Sequence, residues 1–252
     1  MTSLSVKGVQ IGEGRPKTIV SIMGARTDVL LREALQAVNG GADCVEWRAD
    51  YADDVHDPNS MARTAQELCE ALPTTPLVFT FRSACQGGAQ ELSAQEYLEL
   101  NQAIIKAKGA DIVDIEMGMG NTAVGALISA AHEHGIYAIV SNHDFARTPS
   151  VSNMADQLTK MANLGADLPK LAVMAQSFSD CLRLMEATAQ AKRTLGTPLV
   201  TMAMGEHGKL SRLAGEASGS SLTFCALEKS SAPGQVGIKE ATEVLSLLHR
   251  VL

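Results

Sequence analysis

Membrane-length apolar runs, paired cysteines and an excess of positive charge are all missing from this 252-residue chain. No apolar stretch approaches the roughly 20 residues of a membrane-spanning helix, and the first residues hold no apolar core of signal-peptide length. No membrane partner and a cytoplasmic location are therefore expected. The formal net charge of −7 gives no long-range attraction to nucleic acid or anionic lipid, so the expected partner is a small molecule. Any anion the chain binds must be met by locally placed arginines. Five cysteines (Cys44, Cys69, Cys85, Cys181, Cys225), odd in number, far apart and without a CxxC pair, argue against a disulfide framework or structural zinc. Aromatic residues are few while glycine and alanine are plentiful, a mix suited to close packing of helices on a sheet. No linker, charge block or low-complexity tract divides the chain, so residues 1–252 read as one domain.

What is present is a regular alternation. After a short hairpin expected within residues 4–16, apolar runs of strand length recur at 18–23, 43–48, 77–82, 111–116, 137–143, 169–174, 199–204 and 222–226. Amphipathic stretches separate them, as at 29–35 and 154–164. Thr27-Asp28 and Ser93 are candidate helix caps, the latter with Glu96 three residues on as in a capping box. Strand–helix units imply a parallel sheet with right-handed crossovers. Eight of them in about 250 residues match a closed (β/α)8 barrel, with the hairpin left to cover its bottom. An open doubly wound sheet has the same periodicity, because periodicity does not report closure.

The polar residues within these runs share one alternating face, since side chains two apart on a strand lie on the same side. The first run contributes Ser21, the second Glu46 and Arg48, the third Thr80 and Arg82, and the fourth Asp114 and Glu116. The fifth carries Ser141 and His143, the sixth Lys170 with Ala172 and Met174, and the seventh Met202 and Met204. A single charge at a strand end is ordinarily a solvated edge. Five consecutive strands with ionisable groups on one face would instead converge on the C-terminal mouth of a barrel, where active sites of this fold are built. Lys170, inside Leu168-Pro169-Lys170-Leu171-Ala172-Val173-Met174, reads either as a residue snorkelling its ammonium into water or as a desolvated amine fit for nucleophilic attack. His143 reads either as a proton shuttle or as an imidazole satisfied by Asp144 or a loop carbonyl. Arg48, Arg82 and Arg212 offer bidentate contacts to a carboxylate or hydroxyls, and would lower the lysine pKa by repulsion. Lysine as electron sink with histidine as proton carrier permits elimination, isomerisation or aldol chemistry beside a carbonyl.

Two other patterns carry less. Gly118-Met119-Gly120-Asn121-Thr122-Ala123 matches a dinucleotide-binding fingerprint with Asp144 about 20 residues on, but it lies mid-chain after a strand ending in the inward acid Glu116. His132-Glu133-His134 resembles a metal cluster, yet residues two apart on a helix face different directions. Neither run is read as a dinucleotide or metal site.

Six segments together, Glu46-Trp47-Arg48, Phe79-Thr80-Phe81-Arg82-Ser83, Ser141-Asn142-His143-Asp144-Phe145, Pro169-Lys170-Leu171-Ala172-Val173-Met174, Ser211-Arg212-Leu213-Ala214-Gly215-Glu216 and Ser231-Ala232-Pro233-Gly234-Gln235, resemble the type I 3-dehydroquinate dehydratases in order and spacing. The resemblance implies a (β/α)8 barrel, usually a homodimer, that dehydrates 3-dehydroquinate to 3-dehydroshikimate in the shikimate pathway without metal or cofactor. It implies that Lys170 forms an imine with the ring ketone and that His143 removes the adjacent proton and returns one to the leaving hydroxyl. Arg212 would pair with the substrate carboxylate beside Ser231 and Gln235. Glu46, Arg48, Arg82 and Ser21 would hold the ring hydroxyls and order the pocket, with Met202, Phe224, Ala232 and Gln86 around them. The departure is Gln86, where enterobacterial members carry a glutamate. An active enzyme is expected, its His143 titrating lower than in glutamate-bearing relatives. Another Schiff-base barrel enzyme would share the lysine but often bring a phosphate site after strands seven and eight. A non-catalytic binding domain would be expected to have lost Lys170 or His143.

Overall fold

The computed structural model describes residues 3–227 and 231–252. Two three-residue strands, β1 (Leu4–Val6) and β2 (Val9–Ile11), form an antiparallel hairpin. Eight parallel strands follow: β3 (Lys17–Ile22), β4 (Cys44–Arg48), β5 (Leu77–Thr80), β6 (Ile112–Glu116), β7 (Tyr137–Asp144), β8 (Leu168–Met174), β9 (Val200–Met204) and β10 (Leu222–Ala226). Helices α1 (Thr27–Asn39), α2 (Pro58–Ala71), α3 (Ala94–Lys106), α4 (Asn121–Glu133), α5 (Val151–Asn163) and α6 (Phe178–Thr194) make the crossovers. The short α7 (Lys209–Leu213) and α8 (Gly215–Ser218) connect β9 to β10, and α9 (Ile238–Val251) ends the chain.

The sheet closes. From β3 to β9 each strand pairs with the next, and β10 pairs back onto β3. The remaining seam, between β9 and β10, is joined by a bridge between Leu199 and Ser220, and the Ser221 N–H donates to the Leu199 carbonyl at 2.8 Å. The Thr201 N–H donates to the Ser220 hydroxyl at 3.0 Å, so a serine side chain substitutes for part of the missing ladder. A two-residue strand, β11 (Val236–Gly237), adds to β10 in parallel; periodicity did not show it because two residues have no period.

Alternation along the strands divides the core in two. Outward residues such as Trp47, Phe79, Ile115, Val140 and Leu171 pack under the helices. Inward residues Ile19, Cys44, Val78, Ile112, Ile139, Leu168, Val200 and Leu222 fill the lower barrel, and Val6 and Ile11 of the hairpin close it from below. An apolar plug there removes water from one end of the barrel and leaves access only from the other.

Local signals were met unevenly. Ser93 and Glu96 form the reciprocal capping box at the start of α3. The cap proposed at Thr27-Asp28 is corrected: Arg26 is the N-cap residue, without a side-chain cap, and Thr27 is already helical, its hydroxyl paired with Thr64 at 2.8 Å. The glycine pair after Arg82 serves the chain's own backbone, since a Cβ on Gly88 would fall 1.8 Å from the Arg82 carbonyl oxygen. The G-x-G-x-x-A run forms a single 3-10 turn and the start of α4. His132 faces Asp167 at 2.8 Å while His134 turns to the Ala130 carbonyl, so the two imidazoles do not converge.

Candidate active site

Above the apolar floor, the inward face turns polar, and its residues surround a cleft at the C-terminal end of the strands. Its lining includes Glu46, Arg48, Arg82, Gln86, His143, Lys170, Met202, Arg212, Phe224, Ser231, Ala232 and Gln235. Every candidate site residue lines it except Ser21, which stands behind Glu46 and donates a hydrogen bond to its Oε2 at 2.5 Å.

Lys170 does not snorkel. Only 3% of it is exposed, because its position two residues above the floor leaves no path to bulk water. Its amine donates to Asp114 Oδ2 at 2.8 Å, lies 3.8 Å from Glu46 Oε1 and sits 4.5 Å over the Phe224 ring. A buried ammonium left alone would be costly, and these two carboxylates and the ring face supply what water would have given it.

The three arginines of the expected ligand contacts all line the cleft but are not equivalent. Arg48 makes a two-pronged pair with Asp50 at 2.7 and 2.7 Å, and Arg82 is held between Asp114 and Glu116, each at 2.9 Å. Arg212 differs. It is 1% exposed, and among the described residues its Nη2 donates to the Pro233 carbonyl at 3.2 Å, while Nε and Nη1 have no hydrogen-bond partner. Burial pulls its guanidinium down to about 10, so it remains cationic at neutral pH. A buried guanidinium with idle donors is an anion site in waiting.

The geometry at His143 fixes its tautomer. One oxygen, Gln86 Oε1, lies 3.0 Å from the His143 backbone N–H and 3.0 Å from its Nδ1. A backbone N–H only donates, so the Gln86 atom there is the carbonyl oxygen, and Nδ1 must carry the hydrogen that faces it. Nε2 is left with the lone pair. Burial, followed by the charges of Arg82 and Lys170, pushes the imidazole well below its ordinary range, and Asp114 only partly offsets them. Phe145 stacks beside the ring at 6.5 Å between centroids. The bland alternative, an imidazole satisfied by Asp144, is not what the structure has: Asp144 instead caps the backbone of Ala146 and Arg147.

Ser231 and Gln235 hold each other, with the Ser231 N–H donating to Gln235 Oε1 at 2.9 Å and Gln235 Nε2 donating to the Ser231 hydroxyl at 2.8 Å. The Ser231 hydroxyl donates in turn to Ser21 at 3.0 Å, tying this segment to Glu46 through a serine relay. Sequence reading noted Asp114 and Glu116 as inward acids but gave them no role. Glu116 accepts from Arg82, from the Ser83 N–H and from the Ser83 hydroxyl, which anchors the segment that carries Gln86. Phe145 lies beyond the end of β7, where alternation no longer predicts direction. Among the described residues no group of three His, Cys, Asp or Glu is placed to hold a metal ion.

Fold and cleft together define a (β/α)8-barrel enzyme with a lysine at the centre of its C-terminal mouth. The profile of the type I 3-dehydroquinase family matches residues 18–251, and the chain belongs to that family. A 3-dehydroquinate dehydratase of Bacillus licheniformis is 44% identical over 250 residues, covering 99% of this chain and 98% of its own length. One from Salmonella typhimurium is 41% identical, covering 99% and 100%. Among solved structures, the type I 3-dehydroquinate dehydratase of Clostridium difficile superposes with a TM-score of 0.96 at 39% identity, covering 100% of this chain and 99% of its own. That of Geobacillus kaustophilus gives 0.95 at 34%, covering 99% and 97%.

Proposed function

We propose that this protein is a 3-dehydroquinate dehydratase, a hydro-lyase of the shikimate pathway, working through a Schiff base on Lys170. The observation that carries the reading is the buried Lys170 amine sharing one cleft with the His143 Nε2 lone pair and with Arg212, whose Nε and Nη1 have no hydrogen-bond partner among the described residues. Arg212 takes the substrate carboxylate, with Ser231 and Gln235 alongside. Glu46 and Arg48 face the ring hydroxyls, Ser21 steadies Glu46, and Arg82 orders Asp114 and Glu116. Met202, Phe224 and Ala232 supply the apolar part of the wall.

With the ring held, the Lys170 ammonium yields a proton, its amine adds to the ketone, and the carbonyl oxygen leaves as water with two of the nitrogen's three protons, giving an iminium that draws electrons from the neighbouring C–H bond. His143 Nε2 removes that proton. The enamine then expels the ring hydroxyl, which departs as water with the proton from His143, and hydrolysis of the new iminium frees product and lysine. A homodimeric, cytoplasmic enzyme belongs to the same reading and rests on the family resemblance. No helix among the described residues is long and apolar enough to cross a membrane.

The test is borohydride reduction with 3-dehydroquinate present, followed by mass analysis of the peptides. A stable adduct is expected on the peptide containing Lys170, and its absence there sinks the mechanism.

His143 must be neutral to accept a proton. Since its pKa lies below the ordinary histidine range, activity is expected to persist on the acid side and to fall only as the pH drops through that lowered value. Gln86→Glu puts a carboxylate against Nδ1, favours the imidazolium and raises the pKa. The acidic limb of the pH–rate profile should then move to higher pH; a limb that stays in place contradicts the assignment.

A further inference from the structure

Lys170 is flanked by two carboxylates that are not equivalent. Glu46 lies 3.8 Å from Nζ, and its oxygens already accept from the hydroxyls of Thr80 at 2.9 Å and Ser21 at 2.5 Å. Asp114 is at 2.8 Å, wholly buried, and its second oxygen is gripped by the Arg82 guanidinium at 2.9 Å and the Ser141 hydroxyl at 2.5 Å. Arg82 is itself fixed by Glu116. Asp114 therefore keeps its place whatever happens to the lysine.

The chemistry at Nζ asks for such a group. An alkylammonium and a ketone give an iminium and water with no change of net charge: a C–N bond forms, the carbonyl C–O bond breaks, and two nitrogen protons leave with the oxygen. The nitrogen is cationic in the resting pair, neutral in the enamine once His143 holds the α-proton, cationic again when hydroxide has left as water, and an ammonium after hydrolysis. Among the described residues the charged and titratable groups around it are Glu46 and Arg48 from β4, Arg82 just after β5, Asp114 from β6, His143 from β7 and Arg212 from α7, with the Phe224 ring from β10. Arg82 and Arg48 would repel an iminium there. Resting on the Schiff-base reading above, we propose that Asp114 is a catalytic residue, the fixed counter-ion and hydrogen-bond acceptor of the Lys170 nitrogen through the whole cycle. Burial opposes its charge, but Arg82 and Lys170 outweigh that and hold its carboxyl well below the usual carboxylate range, so it stays anionic while the nitrogen changes state.

A second consequence is directional. An iminium is planar and keeps one N–H in its plane. Aimed at Asp114 Oδ2, that N–H sets the plane of the C=N bond. The α C–H that breaks must stand perpendicular to that plane for its electrons to enter the C=N bond. Asp114 thus helps select the hydrogen presented to His143.

Asp114→Asn keeps the shape and removes the charge. Its kcat is expected to fall by about 10²–10³-fold, as when a preorganised electrostatic partner is lost, with KM little changed because the carboxylate and hydroxyl contacts remain. The basic limb of kcat should move to lower pH, since the imine nitrogen holds its proton less tightly. Asp114→Glu should restore that limb while recovering only part of the rate. An Asn variant with parental kcat and an unmoved basic limb overturns the proposal. Because that variant removes a buried partner of Arg82, the parent enzyme provides a second readout. With product labelled with ¹³C at the imine carbon, the signal of the protonated imine should persist across the enzyme's working pH range, and deprotonation within that range overturns the proposal. A parent enzyme that gives no borohydride adduct on Lys170 removes the Schiff-base reading itself, whereas an adduct together with an indifferent Asn variant removes only the role of Asp114.

Discussion

Lys170→Ala is expected to abolish dehydration of 3-dehydroquinate, lowering kcat by about 10⁴-fold or more while the barrel stays folded. Among the described residues Lys170 is the single lysine lining the cleft. The protein should tolerate the loss. Asp114 keeps Arg82 at 2.9 Å and the Ser141 hydroxyl at 2.5 Å, so the change does not strand a buried carboxylate. Ligand binding should survive as well, because the carboxylate contact is the one proposed for Arg212. The measurements are the ultraviolet absorbance of the conjugated product for kcat, calorimetry for ligand affinity, and circular dichroism for the fold. A folded variant that retains more than about one part in a hundred of parental kcat is incompatible with covalent catalysis at this residue.

His143→Ala is expected to lower kcat by about 10²–10⁴-fold and to change which species accumulates. Imine formation depends on Lys170 and its carboxylates, so substrate should still become attached. The proton beside the imine then has no base, and elimination stalls. Borohydride should trap an adduct with the mass of the substrate on the Lys170 peptide, where the parent enzyme gives adducts of both substrate and product. Product-mass adduct formed at the parental rate would show that His143 is not the base. The tautomer argument makes this result sharper. With Nδ1–H committed to Gln86, the available basic nitrogen is Nε2, so exogenous imidazole, if it enters the cleft, should recover part of the rate.

Much of the fold was legible before any coordinates. The eight runs recur within one or two residues of the observed strands, because a buried parallel strand between helices demands a short apolar run. The inward or outward direction of Glu46, Arg48, Asp114, Glu116, His143 and Lys170 followed from the period of two. Direction is where alternation stops. It could not say that Arg48 belongs to Asp50, that Arg82 belongs to Asp114 and Glu116, or that among the described residues no acid pairs with Arg212. Those pairings depend on how far each strand is staggered against its neighbour, which a one-dimensional pattern does not contain. The segments beyond strand ends were hidden for a related reason: Phe145, Gly88 and β11 occupy stretches with no repeating geometry to extrapolate.

The sequence by itself determined the eight barrel strands, the face each polar side chain on them takes and the six segments that resemble one family, since these depend on local periodicity and residue identity. Only the tertiary structure decided that Lys170 is buried rather than snorkelling, that it rests against Asp114, and that Gln86 presents one oxygen to both donors of His143. These are contacts between residues 56 and 57 positions apart in the chain. Closing the barrel brings them together, and the electrostatics of the cleft depends on distances that exist only once it has closed.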